Sequence, residues 1–276
     1  MEIDRTPDLT LWPTAAPLQQ SLAYGQAMRA LGATVACVAV RDGGRTVALA
    51  QTLQRGGLQV ILRGPVWLAE CDQRRVLRRL ARWPGITVVT PENTVSGHGL
   101  VPVITPRHHA LWDLSGDEGA LRAGLHGKWR NRLLRAEGVK IAQGNRQIME
   151  RLIAAEHQQR QARGYRGLPR AFLNAFPDPL ILHWSPKGQL EAGMIFLRHG
   201  TWASYQLGWS SPVGRQAFAH GPMLWQAMLR LKARGVTMLD LGDISDANPG
   251  LARFKLGTGA QIRALGATCL VLPSLV

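Results

Sequence analysis

Residues 180–209 decide the predicted fold and read LILHWSPKGQLEAGMIFLRHGTWASYQLGW. Three apolar runs, at 180–185, 189–197 and 202–209, are separated by the short polar turns PKG and RHG. Short apolar runs bounded by Gly and Pro are typical of strands joined by tight turns. The stretch therefore predicts a three-stranded antiparallel meander.

The segments on either side of this meander predict alternating helices and strands. Apolar residues repeat every ~3.6 positions in a helix that packs on a core and alternate in a strand. The elements predicted in this half of the chain are helices at 117–137, 147–163, 222–234 and 250–256 and strands at 139–142, 238–241 and 267–272. The predicted order is therefore α-β-α-β-β-β-α-β-α-β.

The first half of the chain repeats this pattern in a shorter form. Its predicted elements are helices at 17–31 and 72–83 and strands at 34–40, 46–53, 58–62 and 86–90, followed by a loop rich in Gly, Pro and His. Both halves contain a three-strand meander, then a helix and a strand that can run parallel to its neighbour, although no sequence motif is repeated. We therefore predict an α/β (α+β) fold of two domains, a degenerate copy at 1–114 and a second at 115–276. Each is expected to be a mixed, largely antiparallel sheet flanked by helices.

Composition favours a folded chain that binds an anion. The chain has 276 residues, of which 46% are hydrophobic and 18% charged, and this excludes a disordered or fibrous protein. The formal net charge of +15 favours nucleic acid, a nucleotide or a phospholipid surface as partner. Residues 120–170 concentrate this charge, with twelve Lys and Arg against three acidic residues. A coding bias toward arginine is the alternative, but it does not explain the shortage of acids.

The sequence predicts neither a metal site nor a crosslink. Cys37, Cys71 and Cys269 lie far apart, without the spacing of a zinc site or a disulfide framework. His108 and His109 follow a proline in a loop and lack further ligands at metal spacing. No apolar run has the length of a membrane span, and the first residues lack a signal-peptide pattern. We expect a cytoplasmic protein without a transmembrane segment.

Gly221 and Pro222 mark the start of the helix at 222–234. Proline at the first helical position loses no hydrogen bond, and glycine before it lets a ligand approach the backbone. Free amides at such a helix start attract phosphate. An ordinary loop-to-helix turn is the alternative, and the sequence leaves both open.

Asp240 and Asp243 lie at the end of the strand at 238–241, with a spacing that would direct them to opposite faces if the strand continued. Strand ends of α/β sheets are frequent site locations. Asp243 is a candidate general base for an attacking amine, with a cap of the next turn as the alternative.

Residues 253–259 read RFKLGTG and join an aromatic residue to cations and a glycine-rich turn. Lys255 is a candidate to neutralise a phosphate or the oxyanion that develops during acyl transfer. A solvated surface lysine is the alternative.

The helix predicted at 117–137 carries one apolar and one basic stripe, which we expect to pack on the core and to face anions, respectively. The stripes consist of Leu125, Trp129, Leu133 and Ala136, and of Lys128, Arg132 and Arg135. Arg130 lies apart from both, and either contacts a ligand or pairs with a local carboxylate such as Glu137.

Five segments in this order resemble a known family of transferases. They are residues 128–136 (KWRNRLLRA), 205–209 (YQLGW), 221–225 (GPMLW), 240–243 (DLGD) and 254–257 (FKLG), with weaker echoes at 20–24 (QSLAY) and 63–66 (RGPV). Together they resemble the FemABX-type transferases and the related acetyltransferase-like domains of the GNAT superfamily.

The resemblance implies two GNAT-like domains, the N-terminal one degenerate, and transfer of an acyl or aminoacyl group to an amine. In this family the lysine that follows the motif phenylalanine lies at the substrate site, which implies a catalytic role for Lys255. The family's basic segment implies ligand contacts by Lys128 and Arg130. The other residues expected to bind substrate or donor are Tyr205, Gly208, Trp209, His220, Gly221 and Arg253.

The same resemblance bears on the donor, which is an aminoacyl-tRNA in the peptidoglycan-bridging members. Residues 215–221 (RQAFAHG) match the loop that holds the pyrophosphate of coenzyme A in ordinary GNAT enzymes only in part. We expect no tightly bound cofactor and an aminoacyl-tRNA or acyl-CoA co-substrate. Expected partners are a tRNA or nucleotide-linked acceptor and the membrane surface, but not DNA. The alternative is a non-catalytic module that binds RNA or another polyanion through residues 120–170.

Overall fold

The computed structural model describes residues 1–164, 169–245 and 247–274. The chain forms two compact units, one of Met1–His109 with Arg263–Val276 and the other of Ala110–Ile262. The predicted division after residue 114 therefore needs one correction, because the last segment belongs to the first unit rather than the second. Its strand pairs with strands of the first unit, as described below.

The described residues form strands and α-helices in the following order along the chain. The strands are β1 (Glu2–Asp4), β2 (Thr34–Asp42), β3 (Arg45–Arg55), β4 (Leu58–Leu62), β5 (Val66–Trp67), β6 (Ile86–Thr90), β7 (Leu100–Ile104), β8 (His108–Asp113), β9 (Ala142–Gln143), β10 (Leu180–Trp184), β11 (Ala192–His199), β12 (Trp202–Ser210), β13 (Met238–Ile244), β14 (Gln261–Ala264) and β15 (Thr268–Val271). The helices are α1 (Leu22–Ala30), α2 (Gln73–Leu80), α3 (Glu118–Gly124), α4 (Gly127–Arg135), α5 (Arg146–Arg163), α6 (Arg170–Ala175), α7 (Pro212–Gln216), α8 (His220–Ala233) and α9 (Pro249–Leu256).

The first sheet has the order β1-β2-β3-β4-β6-β15-β7, with β5 paired to β3. Strands β2, β3 and β4 form an antiparallel meander, and β6 returns parallel to β4 after α2. The apolar side of α2, formed by Val76, Leu77 and Leu80, is buried in one cluster with Ile61 and Val89 of the sheet. Burial of these side chains is what holds the crossover helix on the sheet.

The second sheet has the order β14-β8-β13-β12-β11-β10-β9. Strands β10, β11 and β12 form the predicted meander, and β13 returns parallel to β12 after α8. The same succession of meander, helix and parallel strand therefore occurs in both sheets. The predicted α/β class, with two mixed sheets flanked by helices, is confirmed.

Three differences from the predicted elements have physical reasons. Helix 117–137 is two helices, because the buried Leu125 is extended (φ −65°, ψ 138°) and the amide of His126 donates to Gly257 O at 2.9 Å. Strand β7 lies in the predicted loop after residue 90, and Pro102 within it fits the edge position that β7 occupies. The last strand, β15, pairs with β6 and β7, a long-range pairing that periodicity does not reveal.

Helix α8 positions the functional end of the second unit. Met223, Leu224, Met228 and Leu231 of this helix are at most 1% exposed and belong to one cluster with residues of β10 and β11. Since α8 follows β12 after only the short α7, the packing places the first turn of α8 beside the end of β12.

Candidate active site

The candidate site is built where β12 and β13 extend beyond their shared register. The parallel pairing reaches Ser204 and Asp240, after which β12 continues to Ser210 and β13 to Ile244. Helices α8 and α9 follow these strand ends in the chain. Strand ends at such a position leave room for a ligand between them.

Lys255 is a buried cation at the centre of this arrangement. Its side chain lies in the last turn of α9, the residue is 5% exposed, and Nζ donates to Asp243 O at 2.7 Å. Burial lowers the pKa of Lys255 to about 8, against the opposing effect of the Asp240 and Asp243 carboxylates. At neutral pH the group is therefore still an ammonium ion, but one with little water around it.

Asp240 is buried and Asp243 is exposed, and Gly242 between them has a positive φ that interrupts the alternation of the strand. Asp240 is 3% exposed and its Oδ1 accepts from the amide of Gly242 at 2.7 Å. Asp243 has an exposed side chain, and its backbone carbonyl is the group that binds Lys255. The role of the Asp243 carboxylate as general base stays a prediction, whereas Asp240 is the buried carboxylate that offsets the charge of Lys255.

Gly242 turns the backbone between these two residues. Its φ is +82°, a conformation that other residues adopt only with strain, and an added Cβ would lie 3.6 Å from Lys255 Nζ. The glycine therefore permits the turn that presents Asp243 O to the ammonium group.

An aromatic cavity of about 150 Å³ is lined by Phe254, the residue before Lys255 in α9, but not by Lys255 itself. Its lining is formed by Trp129, Arg132, Ser210, Gly214, Arg215, Phe218, Ala219, His220, Gly221 and Phe254. Trp129 stacks on Phe254 with ring centroids 6.0 Å apart, and Trp129 Nε1 donates to Phe254 O at 3.1 Å. Because Phe254 directly precedes Lys255, the cavity wall and the ammonium group are held by the same turn of α9.

The ring of His220 forms part of the cavity wall and is neutral. Burial, and to a lesser degree Arg215, lowers the pKa of His220 against the opposing hydrogen bond to Trp209. Nε2 lies 3.0 Å from Trp209 O, and since a carbonyl oxygen only accepts, Nε2 carries the proton. Trp209 thus contributes its backbone, and His220 its ring, to the cavity.

The start of α8 does not offer the free amide that the sequence predicts at Gly221. Gly221 lines the cavity, but its N–H donates to Phe218 O at 3.1 Å. Helix α8 begins at His220 rather than Pro222, and the turn before it satisfies the amide. This amide is therefore already bonded within the turn, the role of Gly221 in ligand binding stays a prediction, and Arg132 and Arg215 are the cations that line the cavity.

Tyr205 and Gly208 shape β12 beside the cavity without appearing in its described lining. The ring of Tyr205 packs against Phe196 with centroids 5.5 Å apart. A Cβ at Gly208 would lie 1.8 Å from Tyr205 Oη, so only glycine leaves the tyrosine in place.

The basic residues of α4 face solvent around a second, open cavity of about 530 Å³. Lys128, Arg132 and Arg253 line it together with Trp129 and Gly257. Arg132 also lines the aromatic cavity, so the two cavities share a cation. Arg130 points away from this group and donates to Ala123 O at 3.4 Å.

Three residues of the aromatic cavity were not assigned individually to a site from the sequence, although Arg215 and Phe218 lie in the partly matched segment 215–221. Trp129 was predicted to belong to the core stripe, and it is indeed buried, yet one edge forms the cavity wall. Phe218 has φ +52°, which is rare for an aromatic residue, and Arg215 bonds Ser210 O at 2.7 Å. No sequence pattern marks these residues as neighbours.

The described residues contain no group of three or more His, Cys, Asp or Glu that could hold a metal ion. Cys37, Cys71 and Cys269 are free thiols. None of the helices within the described ranges has the length and apolarity needed to cross a membrane.

The comparisons with known proteins give similarity in structure only. The sequence matches no protein-family model, and no curated protein matches it. The crystal structure of FemX superposes with a TM-score of 0.76 at 14% identity, covering 99% of this chain and 98% of FemX. A conserved protein of unknown function from Bacteroides thetaiotaomicron gives 0.60 at 10% identity, covering 92% of this chain and 90% of that one.

A third similar structure is the C-terminal domain of a protein assigned as lysylphosphatidylglycerol synthetase, from Agrobacterium fabrum. It superposes with a TM-score of 0.58 at 15% identity, covering 92% of this chain and 88% of that domain. The FemX superposition spans both units at nearly full length, which a chance likeness of one sheet would not do. This chain therefore has the FemABX-like fold that its sequence resemblance predicts.

Proposed function

We propose that the second unit transfers an acyl or aminoacyl group from an activated donor to an amine. The observation that carries this proposal is the buried ammonium group of Lys255, placed directly after the aromatic residue that walls the cavity. A cation with little surrounding water stabilises developing negative charge far more than one in solvent. The FemABX-like fold agrees with a transferase.

The reaction joins the nitrogen of the acceptor to the carbonyl carbon of the donor. As the C–N bond forms, the carbonyl oxygen becomes negative, and Lys255 stabilises this charge. The bond from carbon to the leaving oxygen or sulfur then breaks, and the leaving group takes up a proton. The amine loses a proton, which the proposal assigns to Asp243 because its carboxylate is exposed one residue beyond Gly242.

We further propose aminoacyl-tRNA rather than acyl-CoA as the donor. The loop at 215–221 would have to present free amides to a pyrophosphate, as the GNAT loop does. Instead the amides of Ala217, Phe218, Ala219 and Gly221 all donate to carbonyls of residues 213–218. The exposed cations Lys128, Arg132 and Arg253 lie around the adjoining open cavity, where they suit a nucleic-acid backbone. The aromatic walls suit a terminal base or an uncharged aminoacyl group.

The second candidate function is a non-catalytic RNA-binding module. The exposed Lys128, Arg132 and Arg135 on one side of α4, together with Arg253, favour it. Such a module would need neither a buried lysine nor a cavity, and both features favour the enzyme.

The test is transfer of label from aminoacyl-tRNA and, separately, from acetyl-CoA in a lysate fraction that supplies acceptors. Lys255→Met is compared with Lys232→Met, because Lys232 Nζ also donates to a backbone carbonyl, that of Leu114, at 2.7 Å. We expect label to move from aminoacyl-tRNA, with loss of about 100-fold or more in Lys255→Met, the usual effect of removing an oxyanion donor. Lys232→Met should retain activity.

Label that moves only from acetyl-CoA would overturn the donor assignment. Label that moves from neither donor, while the chain binds RNA in a salt-sensitive manner, would replace the enzyme with the binding module. Equal losses in the two lysine variants would show that Lys255 has only a structural role.

A further inference from the structure

The first unit exposes a row of aliphatic side chains at one end of its sheet. Leu58 pairs with Ile86 in the parallel register of β4 and β6. Leu272 follows Val271, the partner of Thr87, and therefore lies opposite Ile86. Residues directly opposite one another point to the same face of a sheet.

Val101 of β7 extends the row by one strand, because it pairs with Leu270, two residues before Leu272. We call Leu58, Ile86, Leu272 and Val101 the aliphatic row. They are 39%, 58%, 46% and 45% exposed, respectively. A row of this kind on adjacent strands differs from single scattered apolar residues, which every surface has, and marks a contact surface.

Arginines lie at the same end of the sheet as the aliphatic row, one on the face of the row and two on the opposite face. Arg55 pairs with Leu58 in the register of β3 and β4. Arg78 and Arg82 come from the α2 side, because α2 packs on Ile61 and Val89 of the opposite face, and they reach the same end of the sheet through backbone carbonyls. Arg78 Nε donates to Leu272 O at 3.2 Å and Arg82 Nε to Ser274 O at 3.1 Å. Within the described ranges none of these three arginines pairs with a carboxylate. Strands β3, β4, β6, β7 and β15 and helix α2 contain no Asp or Glu.

We propose that the aliphatic row and its three arginines dock the first unit on an anionic lipid bilayer. Aliphatic side chains gain free energy by entering the boundary between headgroups and acyl chains, and arginines bind the lipid phosphates. This surface lies in the first unit and does not depend on the transferase activity proposed for the second.

Charge and side-chain chemistry favour lipid over the other occupants. Contact between the rows of two copies would bring Arg55 of one copy near the cations of the other, on strands that contain no Asp or Glu. Single-stranded RNA is bound by stacking its bases on aromatic rings, and the row consists only of aliphatic residues. An anionic bilayer complements both the apolar and the cationic parts.

The test is cosedimentation with vesicles of phosphatidylglycerol and phosphatidylcholine, and with vesicles of phosphatidylcholine alone. Ile86→Ser is compared with Ile262→Ser, since Ile262 is a strand residue with a similar exposure of 56%. We expect the wild type to bind the anionic vesicles and Ile86→Ser to bind on the order of tenfold more weakly. Ile262→Ser should bind like the wild type.

Arg55→Gln is a second variant, which keeps the aliphatic row intact. Its matched control is Arg198→Gln, because Arg198 is also an exposed strand residue. Arg55→Gln should weaken binding about fivefold, the usual effect of one arginine near an anionic surface.

Three results would overturn the proposal. The first is absence of binding to the anionic vesicles, or equal binding to neutral ones. The second is that Ile86→Ser binds the anionic vesicles as tightly as Ile262→Ser, and that Arg55→Gln binds them as tightly as Arg198→Gln. The third is a dimer in sedimentation velocity, or RNA binding, that Ile86→Ser abolishes, because the row would then serve that partner.

Discussion

Replacement of Lys255 by Met is expected to stabilise the second unit at neutral pH while abolishing transfer. The pKa of Lys255 is about 8 in the folded chain, below its ordinary value of 10.5. The buried ammonium group therefore lowers the free energy of unfolding at pH 7 by about 3 kcal/mol. Loss of the hydrogen bond to Asp243 O costs the variant about 1 kcal/mol. The net gain expected for Lys255→Met at pH 7 is about 2 kcal/mol.

The pH dependence of the stability gain shows whether it results from removal of a buried ammonium group or from better packing by Met. Between pH 8 and 10.5 the unfolded chain binds more protons at Lys255 than the folded chain, so the wild type gains stability as pH rises. The advantage of the variant should therefore shrink and vanish by about pH 10, measured as urea unfolding followed by tryptophan fluorescence.

Lys232→Met is the control, because it loses a similar bond to a carbonyl, that of Leu114. It should be destabilised by about 1 kcal/mol at pH 7. A destabilised Lys255→Met at pH 7, or an advantage that stays constant up to pH 10, would refute a desolvated ammonium group at this position.

Two further predictions concern the residues around the lysine. Asp240→Asn removes the carboxylate that contributes most to raising the pKa of Lys255, so the loss of transfer at alkaline pH should begin at a lower pH than in the wild type. An unchanged alkaline limb in Asp240→Asn would contradict the electrostatic role of Asp240. Gly208→Ala should lower stability by about 1–3 kcal/mol, since its Cβ would lie 1.8 Å from Tyr205 Oη, and Tyr205→Phe in the same chain should restore part of the loss. Additive effects of these two changes in urea unfolding would rule out the steric explanation.

Local sequence determined most elements of the fold and singled out Lys255 as a candidate. The apolar runs separated by PKG and RHG form the meander of β10, β11 and β12, and the strand predicted at 58–62 is β4. These strands are recognisable because a strand buried on both faces, such as β11, is a continuous apolar run, and Gly or Pro marks each turn. Lys255 was singled out from Phe254 and the glycine-rich turn beside it in the chain, whereas the groups around its ammonium group, Asp240 and Asp243, come from β13.

Tertiary structure decided which residues meet. It placed β15 in the first sheet, broke the helix at 117–137 at Leu125, and satisfied the amide of Gly221 within the preceding turn. It brought Trp129 of α4 against Phe254 of α9, 125 residues apart in the chain.

Tertiary structure also decided which charged and apolar side chains are buried and which are exposed. The sequence shows Asp240 and Asp243 at one strand end, but burial of the first and exposure of the second result from packing in the second unit. Leu58, Ile86 and Leu272 resemble ordinary core residues in the sequence, and only the register of three strands shows them exposed in one row. Periodicity reports the local alternation of apolar residues, whereas pairing between distant strands and the coverage of a sheet face depend on the whole chain.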